Sequence, residues 1–323
     1  MRKNQNFAVQ PTLTAPATYA GEASADFIAA ALLSAKTLDG GNVEIHPNVK
    51  YKEVIQKLDV SNLISDASCD FQASASASIA EVVLEPKELQ VNLELCKSQF
   101  LNSWEALSLG YSAFDEIPRN FTDYLISYVG GKVAEATETA IWAGAPTVGS
   151  FQGFEGRITD ASGSADSPSF AQSGSVDYPN TAVTKDNVIE ILTATVDAIP
   201  STVYGKEDLV IYVSTKVLKA WQSSQSGVTT IGSFNNQLNV GEKPLNFQGI
   251  EIVHAPGMSP DVIIAAQKSN LHFGTGLLSD YNEVRVLDMA DIDGSQNFRV
   301  IMRYTAGTQI GFFNEVAAFG LLA

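Results

Sequence analysis

Three histidines, His46, His254 and His272, are the first residues to examine for chemistry, because imidazole titrates near neutral pH and ligates metals. Their spacing matches no ligand motif such as HExxH, so neither a metal nor a cofactor is expected. His254, two residues before Pro256-Gly257, is the best-placed general base, although a structural histidine at a strand end is the simpler reading. Asp288, Asp291 and Asp293 imitate a calcium loop only in part. Counting back from Gly294 puts Met289 at the first ligand position and Val300 where the bidentate acid belongs. Gly130-Gly131-Lys132 runs on to Val133 without Ser or Thr, so it is no phosphate loop. Gly110-Tyr111-Ser112-Ala113-Phe114 lacks the last glycine of a nucleophile elbow. Cys69 and Cys96 allow at most one bridge, and without a CxxC they read as reduced thiols in a cytoplasmic product. No catalytic set emerges, and the chain is not expected to be an enzyme.

Composition narrows the classes further. Across 323 residues, 20 Lys and Arg stand against 36 Asp and Glu, a net charge of −16 with no basic patch to grip a phosphate backbone. Apolar residues reach 45% and charged ones only 17%, which suits a globular chain with much of its surface covered by partners. The basic residues near Met1 precede no apolar run, so no signal peptide is read there. Phe27 to Leu33 is far too short to span a bilayer.

The element that must organise the rest is a long helix over 121–143. Phe121, Leu125, Val129, Val133, Ala136 and Ala140 return to one face every three or four residues. Pro118 and Asn120 open it, and Gly144 and Pro146 close it. Gly130 and Gly131 sit inside it, each costing about 1 kcal/mol relative to alanine, which reads either as a pair tolerated in a long core helix or as a bend or a close approach of another backbone. Before it, residues 1–56 read as an arm with one short helix over Asp26–Lys36 and no core of its own. Two period-two runs, Phe71 to Ile79 and Leu89 to Leu95, predict the strands of one extended ribbon over 57–98. Alanine and serine fill the first run, so the ribbon needs a neighbour to pack on. After the helix, 147–180 reads as a surface loop anchored by Phe151, Phe154, Ile158 and Phe170. A helix from Thr184 to Pro200, a buried strand at Leu209–Val213, a short helix over Val217–Trp221 and two strands near Ile250 and Val262 form an α/β block. A closing hairpin joins Val284–Val286 to Phe298–Tyr304, and Phe312 to Phe319 is apolar enough to seal a core.

The order of these elements, with LEPKELQVNL from Leu84 to Leu93, ATETAIWAG from Ala136 to Gly144, DLVIYVS from Asp208 to Ser214 and IEIVHAP from Ile250 to Pro256, resembles the major capsid proteins of tailed bacteriophages, which share the Hong Kong 97 fold. The resemblance spans about residues 50 to 323. It implies an α+β chain with an N-arm at 1–56, an E-loop β-ribbon at 57–98, a peripheral domain at 99–181 carrying the spine helix 121–143, an α/β axial domain at 182–275, and a C-terminal hairpin at 276–323 returning to the peripheral domain. It also implies self-assembly into hexamers and pentamers of an icosahedral virion head, made in the bacterial host cytoplasm. Scaffolding, portal and decoration proteins would be partners, DNA would be enclosed without sequence-specific binding, and no membrane is involved. Subunit contacts are expected at Phe71, Ile79, Leu89, Val91 and Leu93, and the spine-helix hinge at Gly130 and Gly131. The Ala/Ser-rich ribbon offers no cross-linking lysine at its tip, and the short arm favours a separate scaffold. The rival readings are an encapsulin-type shell and a small-molecule α/β enzyme using His254.

Overall fold

The computed structural model describes residues 18–20, 35–49, 51–61, 69, 76–96, 120–164, 166–171, 181–226, 245–276, 283–289 and 297–321. The predicted arm helix over 26–36 and Phe71 lie outside these residues, apart from the helix's last two positions.

The spine helix, α2 (Asn120–Ala143), forms with nearly the predicted bounds. Val129 and Val133 are buried as the period requires, but towards the C-terminus the buried face shifts to Thr137, Glu138, Ile141 and Trp142, leaving Ala136 exposed and Ala140 half-buried. A short helix of the arm, α1 (Lys36–Asp39), lies against its C-terminal half. Within the predicted surface loop, Phe154 and Ile158 are buried one turn apart, and the segment folds as α3 (Phe154–Asp160). That is a correction. The helical spacing was present, but the surrounding Gly and Ser hid it.

Two sheets flank the spine. The first joins β1 (Thr18–Ala20), β2 (Glu44–Pro47), β5 (Lys87–Cys96), β11 (Leu271–Thr275), β12 (Glu283–Asp288) and β13 (Asn297–Ile310). Strand β13 is its hub, pairing antiparallel with β5 over 297–306, with β12 over 298–303 and with β11 over 306–310. The predicted closing hairpin is therefore present as β12 and β13. Strand β2 is the arm's contribution, laid parallel on β11.

The second sheet runs β6 (Ser169–Phe170), β14 (Ala317–Phe319), β10 (Ile263–Gln267), β7 (Leu209–Val213), β9 (Ile250–His254), β8 (Leu245–Phe247). Its central strands are apolar at nearly every position because both faces are covered. Val210, Tyr212 and Ile264 face the core shared with Trp142 and Phe154. Leu209, Ile211, Val213 and Ile263 face a second core built from α4 (Val188–Asp197) and α5 (Thr215–Ser226). Helix α5 runs well beyond the predicted Val217–Trp221. The sheet's membership is not one continuous stretch, since β6 and β14 join it from outside 182–275 while β11, inside that range, belongs to the first sheet.

The third sheet is a lone ribbon of β3 (Glu53–Ser61) and β4 (Ser76–Leu84). The two period-two runs are thus not partners. Of the first run, 76–79 lies in the ribbon and 71–75 falls outside the described residues, and the second run, as β5, turns at Glu85-Pro86 into the body of the molecule.

Candidate assembly surface

In the ribbon, antiparallel register sets Val54 opposite Val83 and Ile55 opposite Val82. Cross-strand partners share a face, so the pleat sends Ile55, Val82 and Leu84 one way and Val54, Ile79 and Val83 the other. Leu84 is fully buried, whereas Val54, Val83 and Ile79 are exposed, Ile79 to 65%. The ribbon's base is fixed to the body by Gln309 Nε2, which donates to the carbonyl of Val83 at 2.8 Å. A two-stranded ribbon is marginal alone in water. Each such side chain, once covered, contributes about 1.5–3 kcal/mol.

The other residues singled out by sequence fall differently. Leu89 is 7% exposed, and Val91 and Leu93 pack half-buried against the core of their own chain. Strand β13 and the core beneath it thus cover Leu89 and part of Val91 and Leu93 within the chain, while Ile79 is open and Phe71 lies outside the described residues. Gly131 is exposed on the spine, and a Cβ there would meet nothing within 4 Å, so among the described residues no backbone crowds it. Gly130 is half-buried. Close approach occurs elsewhere. At Gly257 a Cβ would lie 2.1 Å from the carbonyl oxygen of Glu138, so the loop after β9 rests directly on the spine backbone.

The arm is locked to the spine by a buried network that the sequence did not announce. Glu138, itself buried, accepts hydrogen bonds from the Thr37 amide at 2.9 Å and from the Thr37 hydroxyl. Trp142 Nε1 donates to the same Thr37 oxygen at 2.8 Å. The Trp142 ring packs against Tyr212 and Phe154, with centroids 4.9 and 5.4 Å away. Nearby, an open groove of about 810 Å³ lies between Lys87–Gln90, Arg303 and the Pro146–Gly149 turn, with Val148 fully exposed at its rim. Lys87 holds that turn by donating to the carbonyls of Thr147 and Ser150.

His254 ends β9, as predicted. Lys36 Nζ donates to its Nδ1 at 2.9 Å, because an ammonium can only donate. The ring proton therefore sits on Nε2, which donates to Thr215 Oγ1 at 2.9 Å. This is the reverse of a catalytic pair, in which a carboxylate holds Nδ1–H and Nε2 is free to take a proton. Burial, with Lys36 and Lys219 nearby, holds its pKa below the ordinary histidine value. His46 and His272, far apart in sequence, meet: His46 Nε2 is 2.9 Å from His272 Nδ1, with Glu44 and Glu53 beside them. Burial lowers the His272 pKa against the opposing pull of Glu44.

No protein-family model matches the chain, and no curated protein is significantly similar to it. Solved structures are. The capsid of a native GTA particle is 14% identical and superposes with a TM-score of 0.58 over 100% of this chain and 96% of that one. The capsid of cyanophage A-1(L) is 12% identical, with a TM-score of 0.58 over 89% of this chain and 93% of its own. The procapsid of satellite phage P4, described with its size determination protein, is 12% identical, with a TM-score of 0.51 over 92% and 98%. The mixed helix-and-sheet fold of this chain is the fold of phage capsid proteins, as the order of its elements implied.

Proposed function

We propose that this chain is the major capsid protein of a tailed phage, a shell subunit that assembles through hexamers and pentamers into a head enclosing DNA. The observation that carries this reading is the ribbon. Its open face displays Val54, Ile79 and Val83 to water on an element too thin to be stable alone, and a neighbouring subunit is the surface that covers it. The capsid fold supports the same reading. The acidic balance lets the wall surround DNA without adhering to it. A separate partner that sets shell size, as the P4 procapsid has in its size determination protein, is part of this reading. Catalysis has no place in the reading, because the histidine best placed for it is tied down by a lysine.

Electron micrographs and light scattering of the purified protein test the assembly. Capsomers or shells are expected at some ionic strength, and His254→Ala is expected to form them as the parent does. A folded monomer under all conditions, also with scaffold and portal present, would overturn the reading. Shells filled with protein cargo in place of DNA would identify an encapsulin-type compartment.

A further inference from the structure

The cluster of His46 and His272 takes no part in packing the cores or in the assembly surface. Period two along β2 puts Glu44 and His46 on one face. The parallel register with β11 then sets His272 opposite Glu44 on the same side. One ligand atom from each of the three lies within 4.8 Å of the others. We propose that Glu44, His46 and His272 bind a divalent cation of the zinc class, with Glu53 as the outer partner of His46.

Distances, proton placement and burial agree on this. Zinc bonds of 2.0–2.1 Å in a tetrahedron put ligand atoms roughly 3.3 Å apart. Here His46 Nε2 and His272 Nδ1 are 2.9 Å apart, and Glu44 Oε2 is 3.5 Å from His272 Nδ1. Small side-chain shifts bring these atoms to the required spacing. Glu53 Oε1 lies 3.0 Å from His46 Nδ1 and can only accept, so Nδ1 carries the proton and Nε2 turns its lone pair into the cluster. A carboxylate behind a ligating imidazole is the arrangement that fixes a metal-binding tautomer. Before the cation binds, that lone pair accepts the His272 Nδ1–H. On binding, the His272 proton moves to Nε2.

Burial grades from His272, which is buried, through half-buried His46 to exposed Glu44. The cation would have a closed inner wall and an open side for a water ligand. Two imidazoles with one carboxylate suit zinc rather than calcium or magnesium, which take oxygen ligands. The occupied site would tie the arm strand β2 to β11 and, through Glu53, to the root of the ribbon at β3.

The test uses the full chain, stripped with a chelator and titrated with zinc and, separately, cobalt chloride. One equivalent per chain is expected, with the intense visible absorption of four-coordinate cobalt and a higher melting temperature in zinc. His46→Ala and His272→Ala should abolish binding, and Glu53→Gln should weaken it roughly 10- to 100-fold. Absence of saturable binding, a pale six-coordinate cobalt spectrum, or undiminished binding by His46→Ala would overturn the proposal. Each would leave the pair as a hydrogen bond between histidines. If His272→Ala fails to fold, the parent's cobalt spectrum and the His46→Ala titration still decide. Shell formation is not the readout, so failure of the capsid reading and failure of this one are separable.

Discussion

At the scale of single residues, the arm depends on one hydroxyl. Thr37 Oγ1 gives its proton to Glu138 and accepts the Trp142 indole N–H, all three being buried. Thr37→Val keeps the shape but leaves an indole N–H unpaired and a buried carboxylate one partner short. A loss of about 2 kcal/mol or more is expected, read by denaturant unfolding of the purified protein, with β2 the first strand to lose hydrogen-exchange protection. A loss near zero would mean that Glu138 finds water instead. His254 gives a pH dependence of definite sign. Its folded pKa lies below its ordinary value of about 6.5, so the unfolded chain takes up the proton more readily. This contribution to stability is intact above pH ~6.5 and is lost as the pH falls below it. Melting temperatures between pH 7.5 and 5.5 should fall less in His254→Ala than in the parent. Equal slopes would show that the ring protonates in place.

At the scale of elements, one glycine within the spine and one packed against it predict opposite outcomes. Gly131 is open, so Gly131→Ala should stabilise the isolated subunit by up to about 1 kcal/mol. Gly257→Ala drives a methyl into the Glu138 carbonyl and should destabilise it by about 1–3 kcal/mol. Thermal unfolding of both variants checks the pair. We propose that the spine bends at Gly130-Gly131 when the shell changes state, so that Gly131→Ala shells are slowed in that change despite the sturdier subunit. The spine was legible in the sequence because a period of 3.6 over 24 residues is hard to imitate by accident. The strands of 209–213 and 250–254 were legible as apolar runs. Partnership was not. Nothing in the alternation of Leu89 to Leu95 says whether the other side of the ladder is β4 or a strand more than 200 residues away, since period two fixes a face and not a mate. Helix α3 was missed because its signal is two aromatic and aliphatic positions in seven. The meeting of His46 with His272 was equally out of reach, although Glu44-x-His46 on a strand does place two ligating groups on one face.

At the scale of the whole molecule, the ribbon should uncouple folding from assembly. Changing Val54, Ile79 and Val83 together to Ser removes the exposed apolar face and touches no core position. Subunit melting is expected to stay within about 0.5 kcal/mol per position of the parent, as for surface changes generally, while shells fail to form or form only at much higher protein concentration. Normal shells from this variant would move the contact surface elsewhere on the molecule.

The hub position of β13 and the bridging position of β14 bear on how the chain is made. Strand β13 is paired by β5, β11 and β12, and β14 closes the gap between β6 and β10. Neither sheet is complete until residues 297–319 have left the ribosome, although the ribbon's 53–84 emerged long before. A nascent chain thus carries its ribbon on a body that is not yet folded. Under the proposed shell function, the lateness of these final strands means that a chain acquires a rigid surface to assemble on only once it has been released.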